Sequence, residues 1–386
     1  MKSFRSLTPL TAPRASVLSG SVRHIRPFHQ QVAKTAIASR PLTTSTSPTT
    51  ITRQIPYRRP IMATQATIAR TATQGHASYT TQASAVGEPT VHDLFETVTG
   101  TWQYVVVDPS TLTAVIIDPV LDYDPVTQTI TTKTADLILS LVKDKGYKVE
   151  RILETHAHAD HITAAAYLQK RLTQSQGQKP LIGIGKRIDQ VQARFGKGYG
   201  VLAKEYECVF DKFFDDDETF DIGNLKAMAI HLPGHTPDHL GYKIGDNVFC
   251  GDSIFHADIG TARCDFPGGS ASDLYESGRK LLSMPSNVKI WTGHDYPPEE
   301  RGAPVPYMTV QQHREQNKHV KDGITSDEFV ALRNERDAGL AAPRLLHQSL
   351  QMNIRGGQLP APNESGHRLL HLPLKMKVEP WDNGPA

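Results

Sequence analysis

Short β-branched runs and longer helical spacings of apolar residues alternate along the chain from about residue 91. The runs "WQYVVVDP" and "TAVIIDPV", joined by the turn "DPSTL", predict two adjacent strands. In "TADLILSLVKDKG", Leu137, Leu141 and Val142 follow a helical spacing, and Gly146 marks the end of that helix. "KVERILET" predicts a strand that leads into a histidine-rich loop, and "ITAAAYLQKRL" predicts the helix that follows.

The second half of the pattern predicts more strands and two further helical regions. Strands are predicted for "KPLIGIG", "LKAMAIHL", "LGYKIG", "NVFCGD" and "VKIWTGHD", with a helix near 270–282. Past Tyr307 the chain turns helical, and Thr325 and Glu328 have capping-box spacing in "TSDEFVALRNERDAG". Five histidines of this late region are predicted to be solvated: His313, His319, His347, His367 and His371. Strands that mix meander and crossover connections predict an α/β sandwich.

Residues 1–87 differ from the rest of the chain in composition. They are rich in Ser, Thr, Ala and Pro, and they contain eleven Lys or Arg but no Asp or Glu. Such a segment buries too little apolar surface to offset the entropy of ordering, so it is predicted to be disordered. Its profile is typical of a mitochondrial transit peptide and predicts location in the mitochondrial matrix, with a generic disordered tail as the alternative. Met62, shortly after "RRP", is a candidate start of a shorter form.

Charge and cysteine usage exclude several classes of function. The net charge of +2 includes the basic leader, so the remainder is acidic, which argues against a nucleic-acid-binding surface. No apolar run reaches the roughly 18 residues that a membrane span needs. The three cysteines, Cys208, Cys250 and Cys264, form no CxxC pair and indicate a reducing compartment. The role of Cys264 stays open between an activated thiolate and a packing residue.

Seven candidate metal ligands lie in four short motifs. "THAHADH" contains His156, His158, Asp160 and His161, a clustering that is unfavourable unless a cation neutralises it. Three more candidates follow predicted strands: His235 in "PGHT", Asp252 in "GD" and His294 in "GHDY". Imidazoles and carboxylates at the ends of several strands are the rigidly supported ligands that a divalent metal site needs.

These motifs resemble the metallo-β-lactamase superfamily from Val91 to Pro298. The resemblance implies an αββα sandwich with a metal site at one edge, followed by a short C-terminal helical extension. "GTARCDFPGG", "LYESGRKLLSMP", "GHDYPP" and a late segment ending in "NIRGG" resemble the persulfide dioxygenase branch, in its longer bacterial-like subgroup. We therefore divide the chain into the presequence and linker (1–87), a catalytic domain (88–306) and an extension packed on that domain (307–386).

The resemblance implies a mononuclear iron enzyme that oxidises glutathione persulfide with O2 to sulfite and glutathione in mitochondrial sulfide catabolism. The family's ligands to one Fe(II) per subunit match His156, His235 and Asp252, two imidazoles and one carboxylate. The other four candidates, His158, Asp160, His161 and His294, are either outer supports of these ligands or ligands of a second metal. Arg263 either pairs with a glutathione carboxylate or ties down its loop, and Tyr296 either hydrogen-bonds a bound ligand or is structural.

Two other classes of function stay open at this point. A glyoxalase II-like thiolester hydrolase (hydroxyacylglutathione hydrolase) would use all seven candidates to bind a pair of Zn²⁺ ions. A non-catalytic metal-dependent binding protein is the third class. The expected partners are glutathione persulfide and O2, with no nucleic acid and no membrane span. The oligomeric state is open, a homodimer being one option.

Overall fold

Strands and helices alternate through the computed structural model, which describes residues 79–82, 87–378 and 381. The strands are β1 (Tyr79–Gln82), β2 (Thr90–Glu96), β3 (Thr101–Val107), β4 (Thr113–Ile117), β5 (Val120–Asp124), β6 (Thr129–Thr131), β7 (Lys148–Leu153), β8 (Ile162–Thr163), β9 (Leu181–Gly185), β10 (Lys212–Phe214), β11 (Thr219–Ile222), β12 (Leu225–His231), β13 (Leu240–Ile244), β14 (Asn247–Phe249), β15 (Lys289–Trp291) and β16 (Tyr307–Thr309). The helices are α1 (Lys133–Lys145), α2 (Ala165–Gln176), α3 (Ile188–Tyr199), α4 (Ala271–Leu282), α5 (Val310–Gln316), α6 (Ser326–Ala338) and α7 (Leu346–Asn353).

Two large mixed sheets form the centre of the fold. The first has seven strands in the order β1-β2-β3-β4-β7-β9-β10, and the second has six in the order β11-β12-β13-β14-β15-β16. In each sheet, antiparallel hairpins are joined to parallel pairs, namely β4 with β7, β7 with β9, β9 with β10 and β14 with β15. A small sheet, β6-β5-β8, lies apart from both.

The helices and sheets form four layers, and one apolar cluster lies between each pair of neighbouring layers. Between the sheets, Trp102, Tyr104 and Val106 pack against Tyr242 and Trp291. The opposite face of the first sheet is covered by apolar residues of α1, α2, α3 and α7. The opposite face of the second sheet is covered by residues of α4, α5 and α6. Because each sheet buries both faces, its strands are apolar on both sides. The αββα sandwich is confirmed.

Most of the predicted elements are present where the pattern places them. Gly146 ends α1 in the left-handed conformation, and Thr325 with Glu328 forms the capping box of α6. The helix after the histidine loop begins later than expected. Ile162 and Thr163 pair with β5 as β8, so α2 starts at Ala165.

Two details at the predicted domain boundaries differ from the sequence analysis. Disorder was predicted through residue 87, but Tyr79–Gln82 pairs with β2, where Thr80 Oγ1 donates to Asp93 Oδ1 at 2.6 Å. The rest of that prediction, and Met62, lie outside the described residues. At the other boundary, Tyr307–Thr309 adds the last strand of the second sheet, so the extension predicted to start at 307 begins inside the sheet.

The prediction that the late histidines are solvated is wrong for two of the five. His319 is buried, and its Nδ1 accepts a hydrogen bond from the backbone N–H of Thr261 at 3.0 Å. His313 is fully buried beside Asn317. Within the part of the chain that the structure describes, no helix has both the length and the apolarity to cross a membrane.

Candidate metal centre

The seven predicted ligands meet at one edge of the sandwich, where strands of both sheets end. The histidine loop, which is the motif "THAHADH", follows β7. His235 follows β12, Asp252 follows β14 and His294 follows β15. Gly234, just before His235, has φ +135°, and a Cβ there would lie 2.3 Å from the backbone N of Leu274. Only glycine therefore lets this bend pack closely against α4 and carry His235 into the site.

His156, His235 and Asp252 form one buried group of ligand atoms. All three side chains are buried, and one ligand atom from each lies within 4.8 Å of the others. His235 Nε2 is 3.6 Å from Asp252 Oδ2, which is too long for a hydrogen bond. Two ligands that each bind one ion at about 2.1 Å lie roughly 3.0–3.4 Å apart, so this spacing suits a shared cation.

Hydrogen bonds on the outer side set the tautomers of the two histidines. His235 Nδ1 donates to the carbonyl of Arg263 at 2.7 Å. The Thr155 hydroxyl donates to Asp118 Oδ2 at 2.8 Å, so it accepts from His156 Nδ1 at 3.0 Å. In both rings the Nε2 lone pair is therefore free to bind a metal, as in metal sites whose ligand imidazoles donate outward.

His239 supports the carboxylate ligand from behind. Its Nε2 accepts a hydrogen bond from the backbone N–H of Asp252 at 2.9 Å. Its ring stacks on His156, with 4.8 Å between the ring centroids. His239 therefore contacts the triad as a support rather than through a free ligand atom directed at it.

His158 faces away from the triad towards two carboxylates. Its Nε2 lies 3.1 Å from Asp118 Oδ1 and 3.2 Å from Glu154 Oε2, and all three side chains are buried. Burial alone would lower the pKa of His158, but these carboxylates outweigh it and raise that pKa well above its usual value. Burial raises the pKa of Glu154. His158 Nδ1 has no hydrogen-bond partner among the described residues.

Asp160 and His294 line the cavity beside the triad, and His161 lies close to both. His294 Nδ1 donates to the carbonyl of Gly100 at 3.2 Å. Its Nε2 then faces Asp160 Oδ2 at 3.1 Å and Asp252 Oδ1 at 3.5 Å. Burial alone would raise the pKa of Asp160, but His294 and His161 outweigh it and lower that pKa to about 2. Burial lowers the pKa of His161 to about 3.

The residues present fit a divalent cation. Six buried polar atoms of the seven predicted ligands lack a hydrogen-bond partner within the described part of the chain: His156 Nε2, His158 Nδ1, Asp160 Oδ2, His161 Nδ1, His161 Nε2 and Asp252 Oδ1. Leaving one such atom unpaired costs about 1–3 kcal/mol, so this concentration is expected only where an ion completes the site. Imidazole nitrogen and carboxylate oxygen suit iron and zinc alike.

A cavity of about 380 Å³ opens onto this group. Asp160, His235, Asp252 and His294 line its floor, together with the apolar side chains of Ala159, Phe255 and Ala262. The opposite wall comes from α6 and the segment after it and includes three arginines: Arg333, Arg336 and Arg344. The C-terminal extension therefore forms part of the cavity that contains the candidate metal centre.

The two predicted substrate-binding residues both line this cavity. The Arg263 guanidinium is already engaged, since it donates to both carboxylate oxygens of Asp265 at 2.5 Å and to the carbonyl of Ala341 at 2.8 Å. These contacts favour the loop-tying role that was one of its two options. Tyr296 is 54% exposed, and its ring stacks on His294 with 5.8 Å between centroids.

The sequence analysis missed the residues that support the ligands. Asp118 and Glu154 were not singled out, although each is a carboxylate directly after an apolar strand, β4 and β7. Arg336 and Arg344 had no sequence signal, because arginines on a helical segment are usually solvated. Thr261, two residues before Arg263, is buried with its hydroxyl 3.2 Å from His319 Nδ1.

Comparison with known proteins places this geometry in a family. The family model for the metallo-beta-lactamase superfamily matches residues 97–294. Glyoxylase B2 of Dictyostelium discoideum is 43% identical over 277 residues, which are 71% of this chain and 93% of that protein. Mitochondrial persulfide dioxygenase ETHE1 of Bos taurus is 28% identical over 280 residues, covering 72% of this chain and 92% of its own.

A solved structure gives the same result for the fold. The crystal structure of ETHE1 from Myxococcus xanthus superposes with a TM-score of 0.55 at 26% identity, covering 69% of this chain and 99% of that one. The region matched by the family model contains the histidine loop, most strands of both sheets and all seven predicted ligands. The chain belongs to the metallo-β-lactamase superfamily.

Proposed function

We propose that the protein is a mononuclear iron persulfide dioxygenase that oxidises glutathione persulfide with O2 to sulfite and glutathione. One observation supports this most strongly: His156, His235 and Asp252 place ligand atoms within 4.8 Å of one another, and His235 and Asp252 line the floor of a cavity. Two histidines and one carboxylate with open positions are typical of non-haem Fe(II) oxygenases. The likeness to the bovine persulfide dioxygenase and to ETHE1 of M. xanthus agrees with this proposal.

The proposed reaction balances without a further reductant. One persulfide, one O2 and one water give glutathione, sulfite and two protons, and the four electrons lost by the outer sulfur reduce the O2. Iron held by the three side chains would supply the O2 activation. The chain itself would bind the tripeptide, exclude water around the sulfur and take up protons.

The cavity wall carries charges that suit glutathione. The tripeptide part of the substrate has two carboxylates. Arg336 and Arg344 are exposed on the wall, and their guanidinium groups make no hydrogen bond or ion pair with a described residue. Guanidinium groups bind carboxylates with two parallel hydrogen bonds. A volume of about 380 Å³ lies within the range of small-molecule sites.

The floor of the cavity suits the persulfide end. Phe255, Ala159 and Ala262 make it apolar next to the ligands, so a bound sulfur would be shielded from water. Asp160 also lines this floor, with its Oδ2 3.1 Å from His294 Nε2, and its lowered pKa keeps it a carboxylate that accepts hydrogen bonds. Tyr296, stacked on His294, lines the same side.

A glyoxalase II-like thiolester hydrolase is the second candidate, and two observations favour it. Asp160, Asp252 and His294 place ligand atoms within 4.8 Å of one another, which would suit a second metal. The relative with 43% identity carries the name Glyoxylase B2. The same wall of arginines would bind the glutathione part of a thiolester, so the wall does not distinguish the two reactions.

The experiment that separates the candidates combines metal counting with two assays. The protein is purified from cells grown with both iron and zinc, its metals are counted per chain, and O2 uptake with glutathione persulfide is measured beside hydrolysis of S-lactoylglutathione. We expect about one iron per chain and O2 uptake. Two metals per chain with hydrolysis and no O2 uptake would replace the dioxygenase by the hydrolase.

We also propose that the protein acts in the mitochondrial matrix, on the basis of the basic, acid-free composition of residues 1–87. Amino-terminal sequencing of the protein isolated from mitochondria tests this. A mature protein that begins near the end of this segment would agree, and an intact Met1 would contradict it.

A further inference from the structure

Asn353, the last residue of α7, contacts the histidine loop from outside the metal centre. Its side-chain N–H group donates to the carbonyls of His158 and His161, both at 2.8 Å. Its side-chain carbonyl accepts from the backbone N–H of Thr163 at 2.9 Å. The residue is buried, and it lies about 190 positions along the chain from the loop that it contacts.

These three bonds fix the orientation of the amide without ambiguity. Backbone carbonyls can only accept and a backbone N–H can only donate, so the nitrogen must face His158 and His161 and the oxygen must face Thr163. Both donor hydrogens and the acceptor are thus used. The bonds fix the carbonyls of His158 and His161 and so hold the backbone of the histidine loop in one shape.

The segment that carries Asn353 is itself firmly held. Gln192 Nε2 donates to the carbonyl of Ile354 at 2.9 Å, and Arg355 forms a 2.9 Å ion pair with Glu205. Gly357 has φ +80°, and a Cβ there would lie 2.9 Å from the carbonyl oxygen of Thr163. The segment therefore packs directly on the end of the loop and gives Asn353 a rigid base.

A chain of polar contacts leads from Thr163 to His158. The Thr163 hydroxyl donates to Glu154 Oε1 at 2.5 Å, and Glu154 Oε2 is 3.2 Å from His158 Nε2. Asn353 thus fixes both the backbone of the loop and the residue that anchors one of the carboxylates behind it. A change at Asn353 is transmitted to the metal centre by hydrogen bonds rather than through bulk packing alone.

We propose that Asn353 is a positioning residue of the metal centre, through which the C-terminal extension holds the histidine loop in its metal-binding shape. The proposal concerns metal binding and holds for either candidate reaction. It gives the extension a second role besides forming the cavity wall. Removing a residue that hydrogen-bonds a metal ligand from outside typically lowers metal affinity by about 10–100-fold.

The test uses a matched pair of variants on the same helix. Asn353→Leu keeps the branching of the side chain at Cγ, is somewhat larger, and removes all three hydrogen bonds to the loop. Gln351→Met is the control, because Gln351 is also a buried amide of α7 but bonds to His347 and His371 instead. Co(II) is titrated into each metal-free protein against a chelator, and the visible absorption of the bound Co(II) is recorded with the thermal unfolding midpoint.

We expect Asn353→Leu to bind Co(II) about 10–100-fold more weakly than the unmodified chain and to alter the Co(II) absorption bands. Gln351→Met should lower the unfolding midpoint of the metal-free protein by a similar amount and leave Co(II) binding unchanged. Unchanged affinity in Asn353→Leu, or an equal loss in Gln351→Met, would overturn the proposal. If Asn353→Leu does not fold, Asn353→Asp, which keeps the bond to Thr163, is judged by the same results.

Discussion

The floor and the wall of the cavity are built in different ways. The floor consists of buried histidines and aspartates that follow strands of both sheets, and their outer atoms are bonded to the scaffold while their inner atoms lack partners. The wall comes from α6 and the segment after it, and Arg336 and Arg344 there are exposed. Rigid, unpaired ligands are suited to holding an ion, whereas exposed arginines are suited to selecting an anionic ligand.

This difference separates two parts of the function. The floor motifs are those by which the superfamily is recognised, and the match over residues 97–294 covers them but not the wall arginines. Fold and floor therefore establish metal chemistry, and the wall bears on the substrate. Changes to the floor should alter metal binding, and changes to the wall should alter substrate binding alone.

The largest effect is expected for Asp252→Ala. Asp252 is the only carboxylate of the triad, and its removal leaves two imidazoles and one more open position. We expect the bound metal to be lost and activity to fall by more than about 100-fold. That is more than the loss expected when a residue that only supports a metal ligand is mutated. Metal content and turnover measured on the same sample check this. Retention of one metal per chain would exclude Asp252 as a ligand.

His294→Ala tests whether the floor holds one ion or two. If one ion binds to the triad, His294 is an outer support, so the variant should keep one metal per chain with affinity about 10–100-fold lower. Arg263→Ala serves as the control, since the backbone carbonyl that bonds His235 is kept. A fall from two metals to one in His294→Ala would favour the dinuclear hydrolase.

His313→Gln tests how a buried histidine outside the metal centre makes the stability of the protein depend on pH. Burial lowers the pKa of His313 from 6.5 to about 3, so between these values the unfolded chain binds a proton that the folded chain does not. Stability must then fall as the pH drops below about 6.5, by about 1.4 kcal/mol at pH 5.5 from this residue. Urea unfolding at pH 7.5 and 5.5 should show a smaller difference in His313→Gln. An unchanged difference would contradict the lowered pKa.

The smallest effects are expected at the wall. Arg336→Ala and Arg344→Ala should each raise the KM for glutathione persulfide up to about fivefold, since an exposed charge pair contributes up to about 1 kcal/mol. Metal content should not change. Lys170→Ala, an exposed cation on α2 away from the cavity, is the control. A loss of metal in either arginine variant would contradict the claim that the wall affects substrate binding alone.

The position of the floor residues at one edge of the sandwich could be predicted from the sequence because the signals are local. A histidine or aspartate directly after an apolar strand, as at His235, Asp252 and His294, can be placed at a sheet edge without knowledge of the tertiary fold. The order of strands and helices followed from the same periodicity. The capping box at Thr325 is a further local signal that the structure confirms.

The residues that support the floor depend on contacts between distant parts of the chain. Asn353 bonds to a loop about 190 residues away, and nothing in its own neighbourhood indicates a partner. The burial of His313 and His319 likewise depends on how α5 and the segment after it pack on the second sheet. Tyr79–Gln82 is ordered by pairing with β2, which its polar composition does not indicate.

Anomalous diffraction from crystals of the iron-loaded protein tests the central claim most directly. The account predicts a single peak at the iron edge, about 2.0–2.3 Å from His156 Nε2, His235 Nε2 and an Asp252 carboxylate oxygen. Two peaks of similar height, or one peak bound by Asp160, His161 and His294 alone, would contradict it.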